Sequence, residues 1–269
     1  MSEAEDATKV REFWERAAAS ERDEQGLRPV ARDPFLQEAV EAGMERWLDS
    51  RAKVADIGCG DGYSTLRFAR NVASIVGVDY IPKFVDRARD EARQRGVSNA
   101  SFRTGNVLDL EPIRAEEGPV DIAISIRCLI NLNNWDQQRQ GMEQIARTVR
   151  PGGLWLVSEG WSGGLRGLNE LRKHTTLPPI VAAKYNVLIE REQFEAVATS
   201  FFKIEAYINL GFYLVMSRVL QPLVELPYPA RHDHPINQLA ANLQDGCSDS
   251  TLFRDCDYAG IYVLRRNGV

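Results

Sequence analysis

From residue 52 to 160 the chain alternates short apolar runs with amphipathic ones, and this alternation constrains the fold more than any other feature. "AKVADIG", "VASIVGVD", "NASFRTGNV", "VDIAISI" and "LWLVSEG" read as strands. "STLRFARN", "IPKFVDRARDEARQRG" and "NWDQQRQGMEQIARTVRPGG" read as helices between them, the second stopped by Gly96 and the third by a Pro-Gly-Gly turn. Apolar strands separated by helices pair in parallel, with helices covering both faces of the sheet. The expected class is therefore α/β, a Rossmann-like, mostly parallel sheet. Before it, Val10, Phe13, Trp14 and Ala17 share one helical face. Asp33-Pro34 marks a helix start, and the Leu36–Leu48 stretch keeps the same rhythm. After it, "EREQFEAVATSF" predicts a helix, and "FKIEAYINL" and "DYAGIYVLRR" predict strands. The stretch between those two strands is too long for a bare loop, so helices are expected within it.

The turn after the first strand, "VADIGCGDGYST", selects a ligand class. Dinucleotide folds use Gly-x-Gly-x-x-Gly to seat a pyrophosphate on a helix N-terminus. Here Gly58, Gly60 and Gly62 alternate instead, with Asp56 before them and Asp61 among them. Carboxylates there repel phosphate and attract a cation. No Gly-Lys-Ser/Thr P-loop follows. S-adenosylmethionine suits this turn, since it carries an ammonium, a sulfonium and a ribose but no phosphate. Asp56 is placed to attract the ammonium, and Asp79, ending the second strand, to accept from the ribose hydroxyls.

On these motifs the chain resembles the class I S-adenosylmethionine-dependent methyltransferases. "VADIGCGDG", "GVDYIPKFVDRAR", "RTGNVLDL", "VDIAISIRCLINL" and "RTVRPGGLWLVSEG" carry the resemblance over residues 50 to 160. It implies seven strands, the last antiparallel. It also implies a single domain over 1–269, with an N-terminal helical extension over 1–50 and lid-like insertions at 161–190 and 209–257. Carried over by position, Gly58, Gly60 and Gly62 line the methionine part with Cys59 among the cofactor-binding residues, Asp79 holds the ribose, and Tyr80 and Ile81 flank the adenine. Asn106, where the family often has Asp, and Val107 complete that pocket, and Arg127 sits where cofactor and acceptor meet. S-adenosyl-L-homocysteine is the implied product.

The acceptor is sought at the ends of strands four and five and in the variable segments. Glu159 and His174 are the candidate bases. Asn131, Trp161, Tyr185 and Asn186 are the candidate acceptor-binding residues. The stretch after strand four lacks the carboxylate of metal-assisted relatives, so no metal is expected. His232, Asp233 and His234 read as a solvated loop rather than a metal site. The asparagine-proline-proline-aromatic motif of nucleic-acid and protein amino methylation is absent. A net charge of −5 gives no electrostatic reason for a nucleic-acid partner. A weaker resemblance, through "LINL" and "LPPI…N", to methyltransferases of bacterial polysaccharide and glycan pathways makes a sugar hydroxyl the leading acceptor. A small-molecule O- or N-methyltransferase of secondary metabolism is the rival. A non-catalytic S-adenosylmethionine-binding protein is the alternative from another class. No apolar run reaches membrane-spanning length. The acidic opening "MSEAEDATKVREFWER" is unlike a secretory leader, and the four cysteines show no Cys-x-x-Cys spacing. Both features point to a cytoplasmic protein with free thiols, though Cys247 and Cys256 are left as a conceivable pair.

Overall fold

In the computed structural model, residues 3–20, 32–224 and 232–268 are described, with the side chains of 3–8 left aside. The chain runs α1 (Glu3–Ala19), α2 (Pro34–Glu45), β1 (Lys53–Ile57), α3 (Tyr63–Phe68), β2 (Ser74–Asp79), α4 (Pro82–Arg95) and β3 (Ala100–Thr104). It continues with α5 (Glu111–Glu117), β4 (Val120–Ile126), α6 (Trp135–Thr148), β5 (Val149–Ser158), α7 (Ser162–Arg172), α8 (Arg191–Ala198) and β6 (Phe202–Ile208). It closes with α9 (Gly211–Val215), α10 (Gln221–Val224), α11 (Pro235–Gln244) and β7 (Ile261–Arg266). The seven strands form one sheet in the order β3-β2-β1-β4-β5-β7-β6. The pairs from β3 to β5 are parallel, and β7 is antiparallel to both β5 and β6. The expected mostly parallel sheet with a reversed last strand is what forms.

Both faces are buried because alternate residues feed opposite cores. Ile122, Ile124, Leu154 and Leu156 pack with Leu36, Met44, Phe68 and Tyr213 on one side. Ala55, Ile57, Ala123, Trp155 and Val157 pack with Met142, Ile145, Phe194 and Phe202 on the other. Local signals set the helix ends. Asp33 caps α2 by accepting the Leu36 N–H at 3.0 Å, and Asn134 caps α6 by accepting that of Gln137 at 2.9 Å. Gly96 closes α4 at φ 65°. Helix α6 stops at Thr148, and β-pairing resumes at Val149, so Arg150-Pro151-Gly152-Gly153 belongs to β5, with Gly152 at φ 75°. Helix α5 was not foreseen. It is a single buried side chain, Ile113, on an otherwise exposed or half-buried helix.

The segment between β6 and β7 contains α9, α10 and α11, and α9 runs into a π-helical stretch at Met216–Leu220. Part of the quoted "QPLVELPYPARHDHP", residues 225–231, lies outside the described residues, as do residues 21–31 of the N-terminal extension. The four cysteines are free thiols, Cys247 and Cys256 included. Among the described residues, no helix is long and apolar enough to cross a membrane.

Candidate active site

The strand order sets where a ligand can sit. From β1 the chain builds outward through β2 to β3, then returns to place β4 on the other side of β1. Loops leaving β1 and β4 therefore diverge, and a crevice opens at their C-terminal ends. A cleft of about 350 Å³ lies there, lined by the ends of β1, β2 and β4. It gathers Asp56, Gly58, Cys59, Gly60, Asp79, Tyr80, Ile81, Asn106, Val107 and Arg127. Gly62, also assigned to the methionine part from sequence, is not among its lining residues and packs instead against Ala88 and Phe102.

The glycine turn is fastened to β2 by its own backbone. The Gly58 and Cys59 N–H groups donate to Val78 O at 2.7 and 3.0 Å. Gly58 has φ 78°, and a Cβ there would lie 2.7 Å from the Cys128 sulfur, so the turn accepts no side chain. Asp79 receives the Gly60 N–H on Oδ2 and the Ile81 N–H on Oδ1, both at 2.9 Å. It thus ties the turn to the start of α4. Asp56 accepts the Thr65 hydroxyl at 2.5 Å. Burial pushes the Asp56 carboxyl up to about 7 and that of Asp79 to about 6, although hydrogen bonds to each act the other way. Asp56, Asp61 and Asp79 are all at least nine-tenths buried and all line the same cleft. Three desolvated carboxylates in one crevice favour a cationic occupant and disfavour phosphate. Asn106 is exposed at the rim, its Oδ1 accepting the Leu108 N–H at 3.0 Å.

The opposite wall is the turn after β4. Arg127 stands there in a left-handed conformation, φ 52°, its N–H bonded to Ser158 O at 2.8 Å. Its guanidinium donates to Gln37 Oε1 at 3.2 Å. Asn131 donates from Nδ2 to Arg127 O at 2.6 Å and accepts the Trp14 indole N–H on Oδ1 at 3.2 Å. Tyr185 stacks on Phe13 with centroids 4.0 Å apart and meets Trp14 edge-on at 5.8 Å. Helix α1 and the loop carrying Tyr185 and Asn186 therefore meet over the cleft, and Trp14, Asn131, Tyr185 and Asn186 all line it. The Oδ1 of Asn186 is buried without a hydrogen-bond partner.

Three assignments from sequence are corrected. Glu159 does not face the cleft. It is fully buried behind the wall, and both carboxylate oxygens are taken by backbone N–H groups of Cys128, Leu129 and Ile130. Trp161 is not an acceptor platform, since it is fully buried against Phe194 and Tyr262 and donates its indole N–H to Gly260 O at 2.8 Å. His174 is exposed just past the end of α7 and is not among the cleft residues. The described part of 209–257 packs on α2 and α7 and does not line the cleft either. Conversely, Val10, Gln37, Tyr63, Ser64 and Phe84 line it without having been foreseen. They lie on helices whose apolar spacing announces packing but not which residues reach the crevice. His234 caps α11 by accepting the Ile236 N–H. Among the described residues no set of three His, Cys, Asp or Glu side chains gathers to hold a metal ion.

Comparison with known proteins agrees with this geometry. Residues 54–153 match the family described as "Methyltransferase domain". An uncharacterized methyltransferase of Bacillus subtilis, YcgJ, is 27% identical over 122 residues, 45% of this chain and 46% of that one. The 23S rRNA (uracil(1939)-C(5))-methyltransferase RlmD of Klebsiella pneumoniae is 40% identical over 72 residues, 26% of this chain and 16% of that one. The matches thus span less than half of these curated relatives. The crystal structure of the N-methyltransferase NodS of Bradyrhizobium japonicum, in complex with S-adenosylhomocysteine, superposes with a TM-score of 0.59. It is 13% identical, and the alignment covers 97% of this chain and 99% of that one. The bare glycine turn and the carboxylates that flank it fall within the matched segment, so residues 54–153 carry a methyltransferase domain, and the seven-stranded sheet built around it has the Rossmann-like fold of the structures it superposes on.

Proposed function

We propose that this chain transfers the methyl group of S-adenosylmethionine to a small acceptor seated between Asn131, Tyr185 and Asn186, and that the accepting atom is an amine nitrogen or an already ionised group. In this reading Asp79 holds the ribose, Asp56 draws the ammonium, and Gly58 and Gly60 leave the backbone bare beneath the methionine chain. Bound there, the cofactor supplies an electrophilic methyl on a sulfonium. The residues of the chain then align the acceptor for in-line attack and keep water out, through the closure of Phe13 and Trp14 on Tyr185. Helix α1, through Trp14, and the end of the 161–190 insertion, through Tyr185, act as the lid.

One observation carries the choice of acceptor. Among the described residues lining the cleft, the carboxylates are Asp56, Asp61 and Asp79, all beside the glycine turn, and there is no histidine, glutamate or lysine. A neutral sugar hydroxyl needs a base to remove its proton during attack. An amine that enters as its free base attacks the methyl through its own lone pair, and the N-methylated ammonium leaves with its proton as product, so the cleft itself needs no base. Asn186 Oδ1, buried and unpartnered, supports an acceptor that offers an N–H or O–H.

The test is transfer of a labelled methyl group to a panel of amino acids, small amines, phenols and sugars. Incorporation into the amine or ionised members is expected. Incorporation confined to sugars would restore the sugar hydroxyl. Failure of the protein to bind S-adenosylhomocysteine in calorimetry would defeat the reading of the cleft itself.

A further inference from the structure

Glu159 has no role in the chemistry above, yet it is the most completely enclosed carboxylate beside the cleft. It follows β5 directly, and the parallel register sets Ser158 against Ile126. Its side chain therefore lies level with the start of the turn that leaves β4. Three successive backbone donors converge on it. The N–H groups of Cys128 and Leu129 reach Oε1 at 3.1 and 2.9 Å, and that of Ile130 reaches Oε2 at 3.2 Å. These belong to the short helical turn Leu129–Asn131 and its cap, whose first three N–H groups find no partner within so brief a helix.

That turn is where the walls of the cleft meet. The Cys128 side chain lies against Gly58 of the glycine turn. Ile130 O accepts the Val187 N–H at 2.8 Å from the loop that carries Tyr185 and Asn186. Asn131 holds Trp14 of α1. Gln138 of α6 donates to both Leu129 O and Val187 O. All of these contacts but that of Gln138 with Val187 depend on where the backbone of 128–131 stands, and among the described residues Glu159 alone accepts its first three N–H groups.

We infer that Glu159 is a positioning residue: its carboxylate fixes the Cys128–Asn131 turn and so sets the wall against which the cofactor and the acceptor bind. Only a carboxylate suits the place, since it offers two acceptor atoms and no donor. A glutamine would turn an NH2 group toward a backbone N–H. The inference rests on the cofactor reading above, and its test separates the two.

The experiment compares Glu159→Gln with Val263→Ala in the full chain. Val263 is buried in β7, in the hydrophobic cluster separate from the one that holds Leu129 and Ile130, so its truncation lowers stability without removing a contact of the wall. S-adenosylhomocysteine affinity is measured by calorimetry well below both melting temperatures. Glu159→Gln is expected to weaken binding at least tenfold, and Val263→Ala to change it less than twofold. Equal affinities in the two variants would overturn the inference, whereas a wild-type protein that binds no homocysteine product would instead overturn the cofactor reading. Should Glu159→Gln fail to fold, amide hydrogen exchange of the wild type decides. Protection of the 128–130 amides matching that of β4 supports the clamp, and exchange at the rate of an exposed loop refutes it.

Discussion

Asp79 shows how one side chain serves the fold and the ligand at once. Its two oxygens each hold one backbone N–H, of Gly60 and of Ile81, and each keeps a further lone pair for a ribose hydroxyl. The Asp79→Ala replacement therefore removes the ligand's acceptor and orphans two buried donors, each costing about 1–3 kcal/mol. S-adenosylhomocysteine affinity is expected to fall tenfold or more, as read by isothermal calorimetry; an unaltered dissociation constant would show that the ribose lies elsewhere. Asp79 was legible from sequence because the end of a buried strand in an α/β sheet is where ligands gather. Glu159 sits at an equivalent strand end and misled for that reason. Position along the strand tells where a carboxylate begins, not which way it turns. The three N–H groups that turn it inward come from residues 128–130, some thirty positions earlier in the chain.

At the scale of elements, the apolar spacing that signals a helix is silent on how closely the helix approaches its neighbour. Helix α7 reads "SGGLRGLNELR". Two of its glycines, Gly164 and Gly167, are there for contact. A Cβ on Gly164 would lie 2.1 Å from Asp257 O, and one on Gly167 would lie 1.9 Å from Asp255 O, so the helix rests on the bare backbone of the stretch before β7. Replacing Gly167 by Ala must push the two backbones apart. The loss is expected to be about 1–3 kcal/mol or more, despite the better intrinsic helix propensity of alanine. Urea unfolding checks this, and a stabilised variant would show that the contact yields freely. Apart from α5, the βα core was readable in outline because its strands are buried on both faces and helices are capped locally, by Asp33, Asn134 and Gly96. The roof was readable only in part. Trp14 and Tyr185 reach each other across a large gap in sequence, and neither carries a local signal of the other. Trp161, with the same composition of signals, turned into the core beside Phe194 instead.

For the molecule as a whole, the buried carboxylates couple stability, ligand and pH. Asp56 is pushed up to about 7 and Asp79 to about 6 by burial. A carboxyl whose folded value exceeds its unfolded one holds its proton longer in the folded state. Its contribution to stability is fully present below about pH 4 and is lost as pH rises through 6 to 7. Asp33 works in the opposite sense. Arg218 and the hydrogen bonds it accepts hold it below the usual carboxylate range, so its contribution is lost only in acid. Between pH 5.5 and 8 the free protein is therefore expected to lose stability, and the ionised Asp56 and Asp79 that result are the form a cationic ligand prefers. Binding should tighten over that interval by about tenfold, since each protonated carboxyl must first give up its proton to meet the ligand. Calorimetric titration with S-adenosylhomocysteine at pH 6, 7 and 8 reads this directly, and the thermal shift on saturation should be larger at pH 8 than at pH 5.5. In Asp56→Asn the dependence should flatten, because an amide has no proton to release there. If the variant retained the wild-type slope, the titrating group would not be Asp56, and the ammonium of the cofactor would have to be held by another part of the cleft.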